Sequence, residues 1–250
     1  MSSNFEWLLM EYGSAGDAEE LFTLARELEK QGKFRIAATA YDRAFGLEPD
    51  NKKIVMARKQ LLERLAVVEH GIKFCYIPAG SFLMGFDKGD PDEQPVHPVQ
   101  LDGYWMSEIP ISWTAHIGIM GEPEWEDRGN TIRARYCATD MTNPLVEDWT
   151  QYDEKPMVSV SWSVVELLCG VISTNMILYR LPTEAEWEKA ARGGLINCKY
   201  PWGDEIPNEN TCDFNSFERF SILPSRSLPP NNYGLYGMSG GVWEWTQDWY

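Results

Sequence analysis

Histidine is scarce in this chain: only His70, His97 and His116 occur among 250 residues. A metal enzyme built on imidazole ligands is therefore a poor reading. Cysteine is also sparse and awkwardly placed. Cys75, Cys137, Cys169, Cys198 and Cys212 make an odd number, widely spaced, with no C-x-x-C. That pattern predicts reduced thiols in a cytoplasmic protein rather than a disulfide framework. Positive charge is in deficit, 22 Lys and Arg against 38 Asp and Glu, for a net charge of −16. Phosphate backbones need basic patches, so nucleic acid is excluded as a partner. The N-terminus has no basic n-region and no apolar h-region, and no apolar run approaches the ~20 residues of a membrane span. Phosphate-loop and nucleophile-elbow motifs are both missing.

Tryptophan, by contrast, is abundant. The chain has 11 Trp in a composition that is 44% hydrophobic, enough for a sizeable core. Residues 234–250 read GLYGMSGGVWEWTQDWY, which places Gly234, Gly237, Gly240 and Gly241 beside Trp243, Trp245 and Trp249. Glycine permits positive φ and close backbone approach, and each indole buries a large apolar area. Such a run belongs inside a domain, so its position at the last residue predicts that part of that domain lies beyond Tyr250. On that reading Trp243, Trp245 and Trp249 are exposed and sheet edges near 74–85 lie unpaired.

The first 70 residues read as helices. Asp17 and Glu20 have capping-box spacing, and Leu21, Leu24, Ala25 and Leu28 follow at helical intervals. Gly32 ends this helix. A second runs from Phe34 to Leu47 with a stripe of Ala37, Ala38, Tyr41, Ala44 and Phe45, and Pro49 stops it. A third spans about 51–68. Leu24, Ala25, Gly32, Ala37, Tyr41, Ala44 and Pro49 resemble one tetratricopeptide repeat over about 18–51, with the third helix as its cap.

From Gly71 the texture changes. Residues 74–85 read as strand, Pro–Ala–Gly turn and strand; 87–95 form an acidic loop; 99–106 read as one strand. The loop carboxylates Asp87, Asp90, Asp92 and Glu93 lack the closing bidentate Glu of a calcium loop and read as a solvated face. Residues 114–155 carry no clear pattern. A strand-to-helix entry follows at 158–172, with Ser161 or Ser163 as cap. In 180–194, RLPTEAEWEKAARGG, Pro182 and Thr183 open a helix, Glu184 and Glu186 suit its positive end, and Gly193 closes it.

Four segments together resemble the formylglycine-generating or sulfatase-modifying-factor family: Ile77–Gly85; Glu93-x-Pro95-x-His97-x-Val99-x-Leu101; Arg180–Gly194; and Tyr200–Asp204 with Pro229-Pro-Asn231 and Gly234–Tyr250. The resemblance covers 74–250. It implies an α+β, C-type-lectin-like fold, loop-rich, preceded by a small helical hairpin, with segment 1–70 and domain 71–250. Within that motif set the stretch holding His97 and Glu93 is scaffold rather than an acid–base pair. The resemblance also implies oxidation of a sulfatase cysteine by copper held between two cysteines, in a segment expected after the Trp-Glu-Trp motif. None of the five cysteines stands at that position. The iron branch of the superfamily needs an H-x-x-x-H-x-E helix, which is absent from this sequence.

Calcium is the other implied cofactor. One site would use the carbonyls of Gly240 and Val242 and the carboxylate of Glu244; a second would use Asp213 and the carbonyl of Phe214. Gly237 stands where relatives carry a polar side chain, and Gly241 where they carry Asn. Two functions are expected from this. In one, the chain is a module that binds a protein partner or another ligand through its tetratricopeptide-like helices or lectin-like loops, away from membrane. In the other, it is the N-terminal part of a copper-dependent formylglycine-generating oxidase.

Overall fold

The structure is a computed structural model that describes residues 17–121, 154–158, 160–214 and 222–249. The expected strand entry at 158–160 is only partly covered, and Cys137 and most of 114–155 lie outside the described residues. The described chain clusters into two compact units. One holds 17–66, 76–104 and 194–197; the other holds 67–75 and the described parts of 105–193 and 198–249.

In the first unit, α1 (Ala18–Lys30), α2 (Phe34–Leu47) and α3 (Lys52–Leu65) pack in sequence. Asp17 caps α1 by accepting from the Glu20 amide at 2.8 Å, half of the expected reciprocal box. Ala18, Leu21, Ala44, Phe45 and Ile54 form the core, with Phe22, Val55 and Leu195 against it. Small alanines bring α1 and α2 close. Tyr41 is fully buried, and its hydroxyl donates to Glu29 at 2.9 Å. Burial first, and Glu29 second, push the phenol up to about 12. Arg58 lies buried against Phe45 and donates to Asp42 through Nε at 2.9 Å. The third helix ends at Leu65, short of the expected Val68, because Val67–Glu69 (β1) leaves it to join a sheet.

Two sheets follow. β1, β2 (Ile72–Ile77) and β5 (Tyr104–Ser107) are ordered β1-β2-β5, while β3 (Gly80–Met84) pairs antiparallel with β4 (His97–Leu101). The strand–turn–strand reading of 74–85 therefore holds for the elements but not as a hairpin: β2 and β3 belong to different sheets. β2 is the middle strand of its sheet, so the expected unpaired edge is not found there, whereas β3, with β4 as its one strand neighbour among the described residues, does keep an open edge within 74–85. The single strand expected over 99–106 is broken at Gly103. A Cβ there would sit 2.2 Å from the Tyr76 hydroxyl, so glycine is required for that approach, and the chain changes sheets at this point.

The second unit carries α4 (Trp113–Met120), α5 (Trp162–Ile172) and α6 (Glu184–Arg192). α4 packs on α5. Ser161 occupies the N-cap of α5, yet its hydroxyl meets Ser163 at 2.9 Å rather than a backbone amide. α6 is the best-specified element. Thr183 and Glu186 form a full capping box, and Gly193 closes the helix at φ 62°. Arg180 grips Glu186 with two bonds of 2.7 and 2.6 Å. Thr183→Ala is expected to cost about 1 kcal/mol of folding stability, measured by urea titration. No helix among the described residues is long and apolar enough to cross a membrane.

Candidate functional site

The glycine–tryptophan segment is stitched to the second unit step by step. Asn231 donates from Nδ2 to the Ala190 and Ala191 carbonyls at 2.7 and 3.1 Å, satisfying the C-terminus of α6. Its Oδ1 accepts from the Tyr233 and Leu235 amides at 2.9 and 3.2 Å. The Tyr236 amide then donates to the Glu108 carbonyl at 2.9 Å, and the Gly241 amide to the Asp213 carbonyl at 2.7 Å. Trp245 Nε1 donates to the Val160 carbonyl at 3.0 Å, and Trp162 Nε1 to the Thr246 carbonyl at 3.2 Å. Finally Asp248 accepts from the Glu184 amide at 2.6 Å, placing a carboxylate at the positive end of α6. The indoles of Trp243 and Trp249 nevertheless face solvent, at 100% and 94% exposure, and Trp245 is exposed as well, as the sequence leads one to expect.

Beneath this segment the central anion is Glu108, whose side chain is nearly buried. Its Oε1 accepts from Lys73 at 2.5 Å, and its Oε2 accepts from Arg226 Nε and Nη2 at 2.9 and 2.7 Å. Burial pushes the Glu108 carboxyl up, but the two cations outweigh it and hold the group below the usual carboxylate range. Sequence reading did not find this cluster. Lys73, Glu108 and Arg226 are separated by 35 and 118 positions, and no local pattern connects them.

A crevice of about 60 Å³ opens beside it, lined among others by Trp202, Pro156, Asp213, Ser225, Gly240 and Val242. That volume suits a few waters or one ion, not a drug-sized ligand. Gly240 and Val242, from one of the two expected calcium sites, and Asp213, from the other, thus line the same crevice. Asp213 and Gly240 form a parallel bridge, and Asp213 Oδ2 also accepts from the Leu223 amide at 3.3 Å. Phe214 and Glu244 are not among the lining residues. Glu244 keeps accessible surface as a residue, yet the protein crowding its carboxyl pushes the pKa up to about 7, with the Trp187 indole acting in the opposite direction. The Trp187 N–H is buried and meets no acceptor in hydrogen-bonding geometry, so this is an approach to Glu244 and not a formed bond. Gly237 has φ +71° and contributes no side-chain oxygen. Lys155, adjacent to Pro156 in the crevice wall, has its ammonium pushed down by burial and pulled back up by the Asp213 charge. Sequence reading missed Lys155 because it falls in the stretch without pattern.

The described cysteines are all free. Cys75 is on β2, Cys169 on α5, and Cys198 and Cys212 are in separate loop segments. Burial is the leading influence on each and raises all four thiols, Cys75 to about 11. A copper pair needs thiolates side by side. These four, protonated at neutral pH and carried by different elements, do not fit it. Among the described residues no group of three or more His, Cys, Asp or Glu could hold a metal ion.

Comparison with known proteins places this architecture. The family described as sulfatase-modifying factor enzyme 1-like domain matches residues 61–250. The formylglycine-generating enzyme of Thermomonospora curvata is 38% identical over 220 residues, covering 70% of each chain. The serine/threonine-protein kinase pkn1 of Chlamydia caviae is 28% identical over 240 residues, which is 86% of this chain but only 37% of that protein. The chain spans between 27% and 37% of the length of the chlamydial kinases it matches. Among solved structures, PvdO from Pseudomonas aeruginosa superposes with a TM-score of 0.53 at 24% identity, over 74% of this chain and 75% of that one. With a matched family over 61–250 and the motif set in place around α6 and the glycine–tryptophan segment, this chain belongs to the sulfatase-modifying factor enzyme 1-like family.

Proposed function

We propose that this chain is a sulfatase-modifying-factor-like module that binds a protein or other ligand and does not itself oxidise a sulfatase cysteine. The observation that carries this reading is the state of the cysteines. Every described thiol is raised by burial, where copper chemistry calls for a thiolate pair. Solvent-facing Trp243 and Trp249 on an anchored segment support a loop-borne contact, since a large indole held at low entropic cost is a common anchor in interfaces. Similarity to one part of much longer proteins named as kinases supports a module carried within a larger chain.

The decisive test incubates the purified chain with copper and a Cys-x-Pro-x-Arg peptide, followed by mass spectrometry. The peptide is expected to stay unchanged. Appearance of a formylglycine aldehyde overturns the proposal. The second reading, an oxidase whose copper cysteines lie downstream, is favoured by the 38% identity to a formylglycine-generating enzyme. A coding sequence continuing into two cysteines a few residues apart would decide for it.

A further inference from the structure

α5 is apolar round most of its circumference but is covered on only part of it. Leu168 and Ile172 are buried, and α4 packs on this helix. Val164, Leu167 and Val171 fall at i, i+3 and i+7 on a neighbouring face and stay open to solvent, at 37%, 58% and 54% exposure. The apolar surface continues past the helix end. Ser173 is the C-cap; the Tyr179 amide donates to its Oγ at 2.9 Å, and the Thr174 amide donates to the Ile177 carbonyl at 2.9 Å. This tied turn carries Met176, Ile177 and Leu178, all exposed. Apolar patches of this size on a folded surface mark contact sites.

We propose that two copies of the chain pair through this face, α5 against α5, antiparallel about a two-fold axis at Leu167. Order, area and charge all select a second copy. Val164, Leu167 and Val171 read almost the same in both directions along the helix. A two-fold axis at Leu167 therefore sets Val164 of each copy beside the partner's Val171, and the stripe is its own complement. The six residues of the helix face and the turn leave roughly 600 Å² open, so two copies can bury about 1,200 Å², the lower limit of a specific stable interface. The chain carries a net charge of −16, yet Glu166 is the one charged residue in 162–178. Helical spacing sets Glu166 off the stripe, so like-charge repulsion is low where the copies meet. The pairing is independent of which ligand the module takes.

Sedimentation equilibrium of the full chain tests it. Wild type is expected at twice the chain mass and to dissociate on dilution. Leu167→Glu sets two carboxylates at the axis and Leu167→Lys two ammoniums. Each is expected to run as a monomer with an unchanged circular dichroism spectrum, because the Leu167 side chain is exposed within one copy. An equimolar mixture of the two variants is expected to regain the dimer mass, since opposite charges then face each other. Glu166→Lys, off the stripe, is expected to stay dimeric. Should either charge disturb folding, Leu167→Asn adds none and is expected to raise the dimer dissociation constant by about tenfold or more. A wild type that is monomeric at every attainable concentration, a Leu167→Glu chain that stays dimeric, or a mixture that stays monomeric overturns the proposal.

Discussion

Glu108→Gln is expected to lower the folding stability of the second unit by about 2–3 kcal/mol. Hydrogen bonds to charged groups are each worth about 1.5–3 kcal/mol, and removing one partner of a buried pair costs about 3–5 kcal/mol. The lower figure is right here because Lys73 and Arg226 are 43% and 46% exposed, so water screens and re-solvates both cations once the carboxylate is gone. Glutamine keeps the shape and one acceptor oxygen, which limits the loss to charge and geometry. Urea denaturation followed by tryptophan fluorescence measures it; a loss below about 0.5 kcal/mol, the range of an ordinary surface change, would remove Glu108 from its central position. The pH dependence has a defined sign. The folded carboxyl titrates below its unfolded value of about 4.3, so its contribution is fully present above that pH. It is lost as pH falls through the lower, folded value. Acid unfolding of the Gln variant should therefore be shallower than that of wild type.

Gly240→Ala is expected to be among the most damaging single changes in the chain, at about 3–5 kcal/mol. Its φ is +76°, and a Cβ there would lie 2.3 Å from the Asp213 carbonyl oxygen. That oxygen is backbone and accepts the Gly241 amide, so it cannot swing aside like a flexible side chain. Gly241→Ala is the control. Its φ of +74° is nearly the same, but nothing lies within 4 Å of the methyl that alanine would add. It should cost only the left-handed backbone penalty of about 1–2 kcal/mol. Equal losses in the two variants, measured in the same urea titration, would show that strain alone governs this turn and that the close approach to Asp213 contributes nothing.

What could be read in advance follows from how far apart the interacting residues lie in the chain. The α6 capping box, the Gly193 stop and the second helix over 34–47 depend on neighbours a few positions away, and they were legible. The glycine–tryptophan segment was legible as a family signature because its glycines need positive φ at fixed intervals. The allocation of β2 and β3 to different sheets was not, since the turn at Pro78–Ala79 resembles that of any strand-turn-strand. It depends on β4, which pairs with β3 from 13 positions (Met84 to His97) to 21 positions (Gly80 to Leu101) away, and on β5, which lies farther along the chain. The Glu108 cluster was hidden for the same reason, its charges looking like ordinary surface until the chain folds them together. Of the residues expected at two calcium sites, Gly240 and Val242 of one and Asp213 of the other line a single crevice, while Glu244 and Phe214 do not.

The interleaving of the two units bears on inheritance. The family match begins at residue 61, inside α3, whereas the unit that contains α3 also contains α1 and α2. Leu195, far along the chain, completes the core formed by those helices. A recombination event that transplanted only the recognisable family segment would carry Leu195 away from Ala18, Leu21 and Phe45. Lineages that exchanged this module would therefore be under pressure to move the helical leader with it, and the cassette on which selection acts is longer than the one that sequence similarity outlines.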